Sequence, residues 1–283
     1  MQSKIFSVNK TLNIGGRLVD LFEPKIMGIL NVTPDSFSDG FRFTDETAIL
    51  NQVEKMIQEG ADFIDIGGYS TRPGAEGVSE EEELQRVLPA IKAVVKKFPE
   101  TTVSIDTFRS AVAIQAVASG AAIVNDISCG ESDHHMFGAV AALKVPYVAM
   151  HMRGTPQTMT QLTDYNHLLK EIIDYFHQKI ALLYRAGVTD IIIDPGFGFA
   201  KTRAQNFELL NKLEYFKMLG KPILAGLSRK SMIWKTLKTD PEHALNGTTA
   251  LNTIALLKGA SIIRVHDVRE ARETIQLINQ LVP

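Results

Sequence analysis

Groups able to bind or polarise a ligand recur in this chain directly after short apolar runs. They are Asn31; Gly67 and Gly68 ahead of Tyr69; Asp106; Asn125 and Asp126; His151 and Arg153; Asp194; Ser228, Arg229 and Lys230; and Arg264 with His266. Any one of them alone reads equally well as a helix cap. As a set they separate into two chemistries. Asp106, Asn125, Asp194 and Lys230 offer the donors and acceptors that suit a flat polar heterocycle, with a carboxylate able to grip an amidine-like edge through two hydrogen bonds. Arg72, Arg264 and His266, with Asn31, suit an anion such as diphosphate together with Mg²⁺.

The elements that must position these groups are legible in the apolar pattern. Short β-branched runs lie near KIMGIL, DFIDIG, TTVSID, AAIVND, PYVAMH, DIIIDP, PILAGL and ASIIRV, and helical spacing follows most of them. Eight such βα units predict an α/β fold, a (β/α)8 TIM barrel, over an open doubly wound sheet. In a barrel the ends of these runs meet on one rim, and that convergence gives the polar groups a common purpose. Ahead of the first unit, residues 4–22 carry a Gly-Gly turn between two alternating runs and predict an N-terminal β-hairpin covering the closed end. Ser79 and Glu82 predict a capping box, followed by Leu84, Val87, Leu88, Ile91 and Val94 on one helix face. Glu80 to Glu83 therefore read as first-turn acids, not metal ligands. No Pro-rich, Ser-rich or charged linker divides residues 1–283, which are expected to form one domain.

Composition excludes several functions. A net charge of -2 with 45% hydrophobic and 22% charged residues is that of an ordinary globular chain, with no basic footprint for nucleic acid. The start, MQSKIFSVNK, lacks a signal-peptide apolar run, and no stretch is long enough to span a bilayer, so a cytoplasmic protein without membrane contact is expected. The single Cys129 has no cysteine partner and reads as a packing or loop residue. Asn31-Val32-Thr33 and Asn246-Gly247-Thr248 read as coincidental sequons. Adjacent His134 and His135 seldom face one ion, and Asp133 before them reads as a helix N-cap. His151 reads as a support for the rim, and Lys201 and Arg203 as solvated positions at a helix start.

Seven motifs, in order along nearly the whole chain, resemble dihydropteroate synthases: MGILNVTPDSFSDG (27–40), STRPGA (70–75), SIDT (104–107), HMRGTPQTM (151–159), DPGFGFAKT (194–202), GLSRKS (226–231) and RVHDV (264–268). The resemblance implies the same barrel and a folate-biosynthetic transferase, one that joins 6-hydroxymethyl-7,8-dihydropterin diphosphate to 4-aminobenzoate and is a sulfonamide target. Carried over by motif, Asp106, Asn125, Asp194 and Lys230 are the pterin set, Asn31 the Mg²⁺ ligand, and Arg264 and His266 diphosphate contacts. Thr71, Arg72 and Pro73, with Phe37, resemble a closing lid around diphosphate and aminobenzoate; Ser231 resembles the residue near the benzoate carboxylate and Phe199 a wall of that pocket. A homodimer through late barrel helices is the assembly the resemblance suggests. Two positions depart from the family pattern, Phe41 in place of a glycine and Tyr69 in place of a glutamate.

Three other readings stay open from sequence. A folate-dependent methyltransferase shares a pterin-binding barrel, although FSDG and STRPG supply contacts a methyl donor does not need. A non-catalytic pterin-binding module is the second. The third is a Schiff-base aldolase acting through Lys230, activated by the neighbouring Arg229.

Overall fold

The computed structural model describes residues 8–32, 43–69 and 77–281. Phe37, Phe41, Thr71, Arg72 and Pro73 lie outside the described residues. A two-stranded antiparallel hairpin comes first, β1 (Thr11–Ile14) and β2 (Arg17–Asp20), turning at Gly15 and Gly16, both at positive φ. Glycine adopts that conformation without the steric cost a Cβ would bring.

The barrel strands are β3 (Lys25–Asn31), β4 (Phe63–Gly67), β5 (Thr102–Asp106), β6 (Ile123–Asp126), β7 (Tyr147–Met150), β8 (Ile191–Asp194), β9 (Leu224–Ala225) and β10 (Ile262–Val265). All pair in parallel in the order β8-β7-β6-β5-β4-β3-β10-β9, and the bridge from Ile193 to Ile223 closes the ring between β8 and β9. The helices between them are α1 (Phe43–Gln58), α2 (Glu80–Lys97), α3 (Ser110–Ala118), α4 (Met136–Leu143), α5 (Leu168–Ala186), α6 (Arg203–Asn211), α7 (Ser231–Leu237) and α8 (Leu245–Leu257), with α9 (Val268–Asn279) after β10.

Strand residues alternate between the two sides of the barrel wall, and this period of two sorts the core into separate clusters. Ile26, Ile64, Val103, Val124, Tyr147, Ile193, Ala225 and Ile263 point outward and pack with the helices. Met27, Phe63, Ile123, Val148, Ile192, Leu224 and Ile262, near the strand starts, point inward and meet Leu12, Ile14 and Leu21 of the hairpin segment. The hairpin thus plugs the amino end, as the Gly-Gly turn predicts. Removing such side chains from water contributes about 1.5–3 kcal/mol each.

Helix α2 shows how local chemistry departs from its expected form. Ser79 accepts from the Glu82 backbone N–H at 3.2 Å, but the Glu82 carboxylate turns to Arg86, so the reciprocal half of a capping box is not made. Val87, Ile91 and Val94 are buried, with Leu84 and Leu88 packed at their margin. Asp133 also differs from expectation. It precedes the N-cap of α4, which is His135, and its carboxylate accepts from the backbone N–H groups of Ser110 at 2.7 Å and His135 at 2.9 Å. The carboxylate therefore serves the start of α3 as well as the turn ahead of α4.

Candidate active site

One inward-facing position further from the amino-end plug along five of the eight strands, β4, β5, β6, β8 and β10, the barrel lining becomes polar. Asp65 and Ser104 follow Phe63 and Thr102 with the same parity, Asn125 follows Ile123, Asp194 follows Ile192 and Arg264 follows Ile262. Above them stand Asn31, Gly67, Asp106 and His266. The ladder puts Asn31 opposite Gly67, Gly67 opposite Asp106 and Asp106 opposite Asn125, so the predicted residues converge because neighbouring strands share a register.

Their hydrogen bonds form one network. Asn125 Nδ2 donates to Asp65 Oδ2 at 2.9 Å, Arg264 Nε donates to the same oxygen at 2.6 Å, and Arg264 Nη2 donates to Asp106 Oδ2 at 2.6 Å. Asp65 is fully buried, and its Oδ1 has no partner among the described residues. The carboxylates of Asp65 and Asp106 together hold the Arg264 guanidinium well above the usual arginine range, against desolvation. Burial pushes the Asp106 carboxyl upward, which the Arg264 charge opposes.

On the other side of the mouth, Asp194 Oδ1 accepts from Gly196 N–H at 2.8 Å. Burial raises the Asp194 pKa, while that bond and the charges of Lys230, Lys201 and Arg264 favour the carboxylate. Lys230 Nζ lies 4.3 Å from the centre of the Phe199 ring. Desolvation lowers its pKa to about 8, with Asp194 and Asp106 acting in the opposite direction. His266 Nδ1 and Ser228 Oγ are 3.0 Å apart, and Ser228 Oγ also accepts from the His266 backbone N–H at 3.2 Å. Burial and the nearby Arg264 lower the His266 pKa to about 4, so the ring is neutral at pH 7. With the Ser228 hydroxyl proton directed to Nδ1, Nε2–H remains as a donor.

Space between these groups comes from glycines. A Cβ built on Gly67 would stand 3.4 Å from Asp106 Cβ, and one on Gly226 would stand 3.9 Å from Asp194 Oδ2. Side chains there would occupy the room in front of the two carboxylates.

Several sequence-derived positions take other places. Asp126 points outward from the barrel, where it accepts from Ser128 N–H at 2.7 Å, Gly130 N–H at 2.8 Å and Tyr147 Oη at 2.6 Å; it braces the β6 loop. Arg153 is bound by Glu171 at 2.6 Å and stacks over Tyr165, 3.7 Å from its ring centre. Arg229 is held by Asp267 at 2.6 and 3.1 Å, so it does not act as the second cation beside Lys230 that an aldolase would use. Ser231 opens α7 with its side chain exposed, and Asn31 is half-buried at the end of β3. Cys129 is buried, and desolvation pushes its thiol well above the ordinary range, in keeping with a packing role.

Lys201 corrects the sequence reading. Instead of being solvated it is buried, with Nζ 2.9 Å from Gly196 O, 3.0 Å from Phe199 O and 3.1 Å from His151 Nδ1. Arg203, two residues on, is exposed as expected. Asp65 was missed altogether, although one signal was available: it shares parity with Gly67 at the rim, and a carboxylate within the otherwise apolar FIDIG must face either the barrel interior or a buried partner. The pair Glu83–Arg109 was missed too. Glu83 is fully buried, Arg109 binds it, and Arg109 Nη2 also donates to Val78 O at 2.6 Å.

A closed parallel barrel whose carboxyl end gathers buried carboxylates, an amide and a doubly held arginine has the architecture of an α/β-barrel enzyme with a polar small-molecule site. Comparison with known proteins gives the family. Residues 27–266 match the family described as pterin binding enzyme. The chain is 46% identical to the dihydropteroate synthase of Synechocystis over 90% of this chain and 89% of that protein. The Xanthomonas albilineans dihydropteroate synthase solved with 4-aminobenzoic acid superposes with a TM-score of 0.90 at 40% identity, covering 98% of this chain and 100% of that one. The Yersinia pestis dihydropteroate synthase in a sulfonamide complex has a TM-score of 0.90 at 40% identity, covering 96% and 98%. The chain belongs to the dihydropteroate synthase family of transferases.

Proposed function

We propose that this rim condenses 6-hydroxymethyl-7,8-dihydropterin diphosphate with 4-aminobenzoate to give 7,8-dihydropteroate and diphosphate. The observation that carries the reading is the network linking Asn125, Asp65, Arg264 and Asp106, which joins a heterocycle cradle to an anion site inside one barrel mouth. Asp194 and Asn125 present acceptor and amide groups to the pterin edges, and Lys230 orients the ring from beside Phe199. The pterin methylene carbon–oxygen bond breaks, its electron pair leaves with diphosphate, and the arylamine nitrogen forms the new bond and gives up a proton. Arg264 and neutral His266 stabilise charge growing on the leaving group, while Asp194 and Asp106 offset cationic character in the pterin.

Mg²⁺ fits this donor set. The described residues contain no group of three His, Cys, Asp or Glu side chains that could enclose a metal. Asn31 at the rim offers an amide oxygen, and Mg²⁺ is commonly held by one or two protein oxygens with substrate phosphates and water completing its shell. When bound it would supply Lewis-acid neutralisation of the diphosphate.

By motif the reading assigns 4-aminobenzoate to a pocket of Phe199 and Ser231 together with Phe37, Thr71, Arg72 and Pro73. Sulfonamides, which share its arylamine, are expected to compete with it. The reading carries with it a single domain over 1–283, a cytoplasmic setting and a homodimer through late helices, where Ile254 and Leu257 of α8 lie exposed. Among the described residues no helix is long and apolar enough to cross a membrane. Incubating the purified protein with the pterin diphosphate, 4-aminobenzoate and Mg²⁺ should produce dihydropteroate and diphosphate in equal amounts. Absence of both products from folded protein would overturn the proposal.

A further inference from the structure

Lys201 is a buried cation that the reaction as derived does not use. Its ammonium has three donors, and three acceptors converge on it within 3.1 Å: Gly196 O, Phe199 O and His151 Nδ1, with His151 O further off at 3.5 Å. A neutral amine would have only two donors for the same set. His151 suits this partner, because burial and the charges of Lys201 and Arg153 keep its ring unprotonated. Desolvation draws Lys201 down to about 7, with Asp194 opposing it and Lys230 and Arg153 adding to it.

The segment it grips holds itself through a single backbone bond, from Phe199 N–H to Gly196 O at 3.1 Å, and its backbone is strained. Gly196, Gly198 and Ala200 have φ of 71°, 82° and 47°, so three residues in five occupy the left-handed region, one of them with a Cβ. Gly196 runs so close to β7 that an added Cβ would meet His151 O at 2.0 Å. Gly198 faces Lys230, whose Cδ would lie 3.0 Å from a Cβ there. Other parts of the turn have their own anchors: Asn206 Oδ1 takes Gly198 N–H at 2.7 Å, Tyr165 Oη donates to Ala200 O at 2.9 Å, and Asp194 takes Gly196 N–H. Among these side-chain anchors, Lys201 is the one that ties the carbonyls of Gly196 and Phe199 to the β7 end. Phe199, whose carbonyl is one of the two, carries the ring that lies 4.3 Å from Lys230 Nζ.

We propose that Lys201 is a positioning residue of this transferase: by binding Gly196 O, Phe199 O and His151 Nδ1 together, its ammonium sets the place of Phe199 and thereby the 4-aminobenzoate side of the mouth. The assignment rests on the function proposed above. It acts on 4-aminobenzoate more than on the pterin: Asp106, Asn125 and Arg264 sit on β5, β6 and β10, and Asp194 and Lys230 touch the turn but are carried by β8 and by the start of α7, whereas Phe199 belongs to the clamped turn itself.

The test uses the full-length protein. Wild-type turnover is measured first, and its absence would speak against the function and not against the clamp. Lys201→Met keeps the length and apolar stem of the side chain and removes the donors. Folded Lys201→Met is expected to raise KM for 4-aminobenzoate about tenfold or more while calorimetric affinity for a pterin ligand stays within about threefold. Lys201→Arg, which keeps the charge and part of the donor set, should recover a portion of the loss. An unchanged KM for 4-aminobenzoate in folded Lys201→Met, or equal losses in pterin affinity and aminobenzoate KM, would overturn the proposal. Should Lys201→Met fail to fold, Lys201→Arg decides by the same KM-to-affinity comparison, and failure of both to fold would show a structural staple instead.

Discussion

Asp65 Oδ2 holds Arg264 Nε at 2.6 Å across the β4–β3–β10 wall, two residues 199 positions apart in sequence. The same oxygen holds Asn125, so one buried carboxylate aligns a pterin-side amide and an anion-side guanidinium. Asp65→Asn removes half the negative charge balancing Arg264 and leaves the shape intact. A loss of about 2–4 kcal/mol in urea unfolding is expected, with weaker pterin binding, since breaking a buried pair leaves its partner charge undercompensated. An unchanged unfolding midpoint would show that Asp106 alone satisfies the guanidinium.

Asp194→Asn should spare the barrel and weaken pterin binding by about 1.5–3 kcal/mol, the worth of a hydrogen bond to a charged group in a dry site. Calorimetry and steady-state kinetics read this together. Wild-type values in both would remove Asp194 from the pterin cradle.

The lowered pKa of Lys230, about 8, gives a signed pH dependence. In the folded protein the ammonium is lost as pH rises through that value, so kcat/KM for the pterin diphosphate should fall on an alkaline limb near it. Lys230→Arg stays charged throughout and should abolish that limb, even at lower absolute activity. The stability sign is the opposite of a favourable ion pair: the unfolded lysine binds more proton between about 8 and 10.5, so this group makes folding more favourable as pH rises across that window. A limb that persists unchanged in Lys230→Arg would assign it to another group.

Glu83 is fully buried against Arg109, and its burial raises its pKa. Arg109→Met should destabilise by about 3–5 kcal/mol because it strands that carboxylate, while the double change Glu83→Gln with Arg109→Met should cost less than the single one. Denaturant unfolding of the three variants measures the cycle, and simple additivity would show that the pair is not coupled.

Much of this protein is written in local pattern. The eight βα units, the hairpin plug and the strand-end residues Asp106, Asn125, Asp194, Lys230, Arg264 and His266 follow from apolar runs of strand length, turn glycines and ordered motifs, because periodicity and turn chemistry act between near neighbours. What tertiary structure decided was which polar groups share a partner. DPGFGFAKT carries no sign that Lys201 is buried, since its acceptors lie on a folded-back turn and just past the end of β7, 50 residues away at His151. Asp126 and Arg153 stand at strand ends exactly as numerous rim residues do, yet the first points out of the barrel to Tyr147 and the second turns to Glu171 and Tyr165. The sign of a buried group's contribution depends on the charges and carbonyls that close around it, and only the closing of the barrel brings residues such as Asp65 and Arg264 within reach of each other.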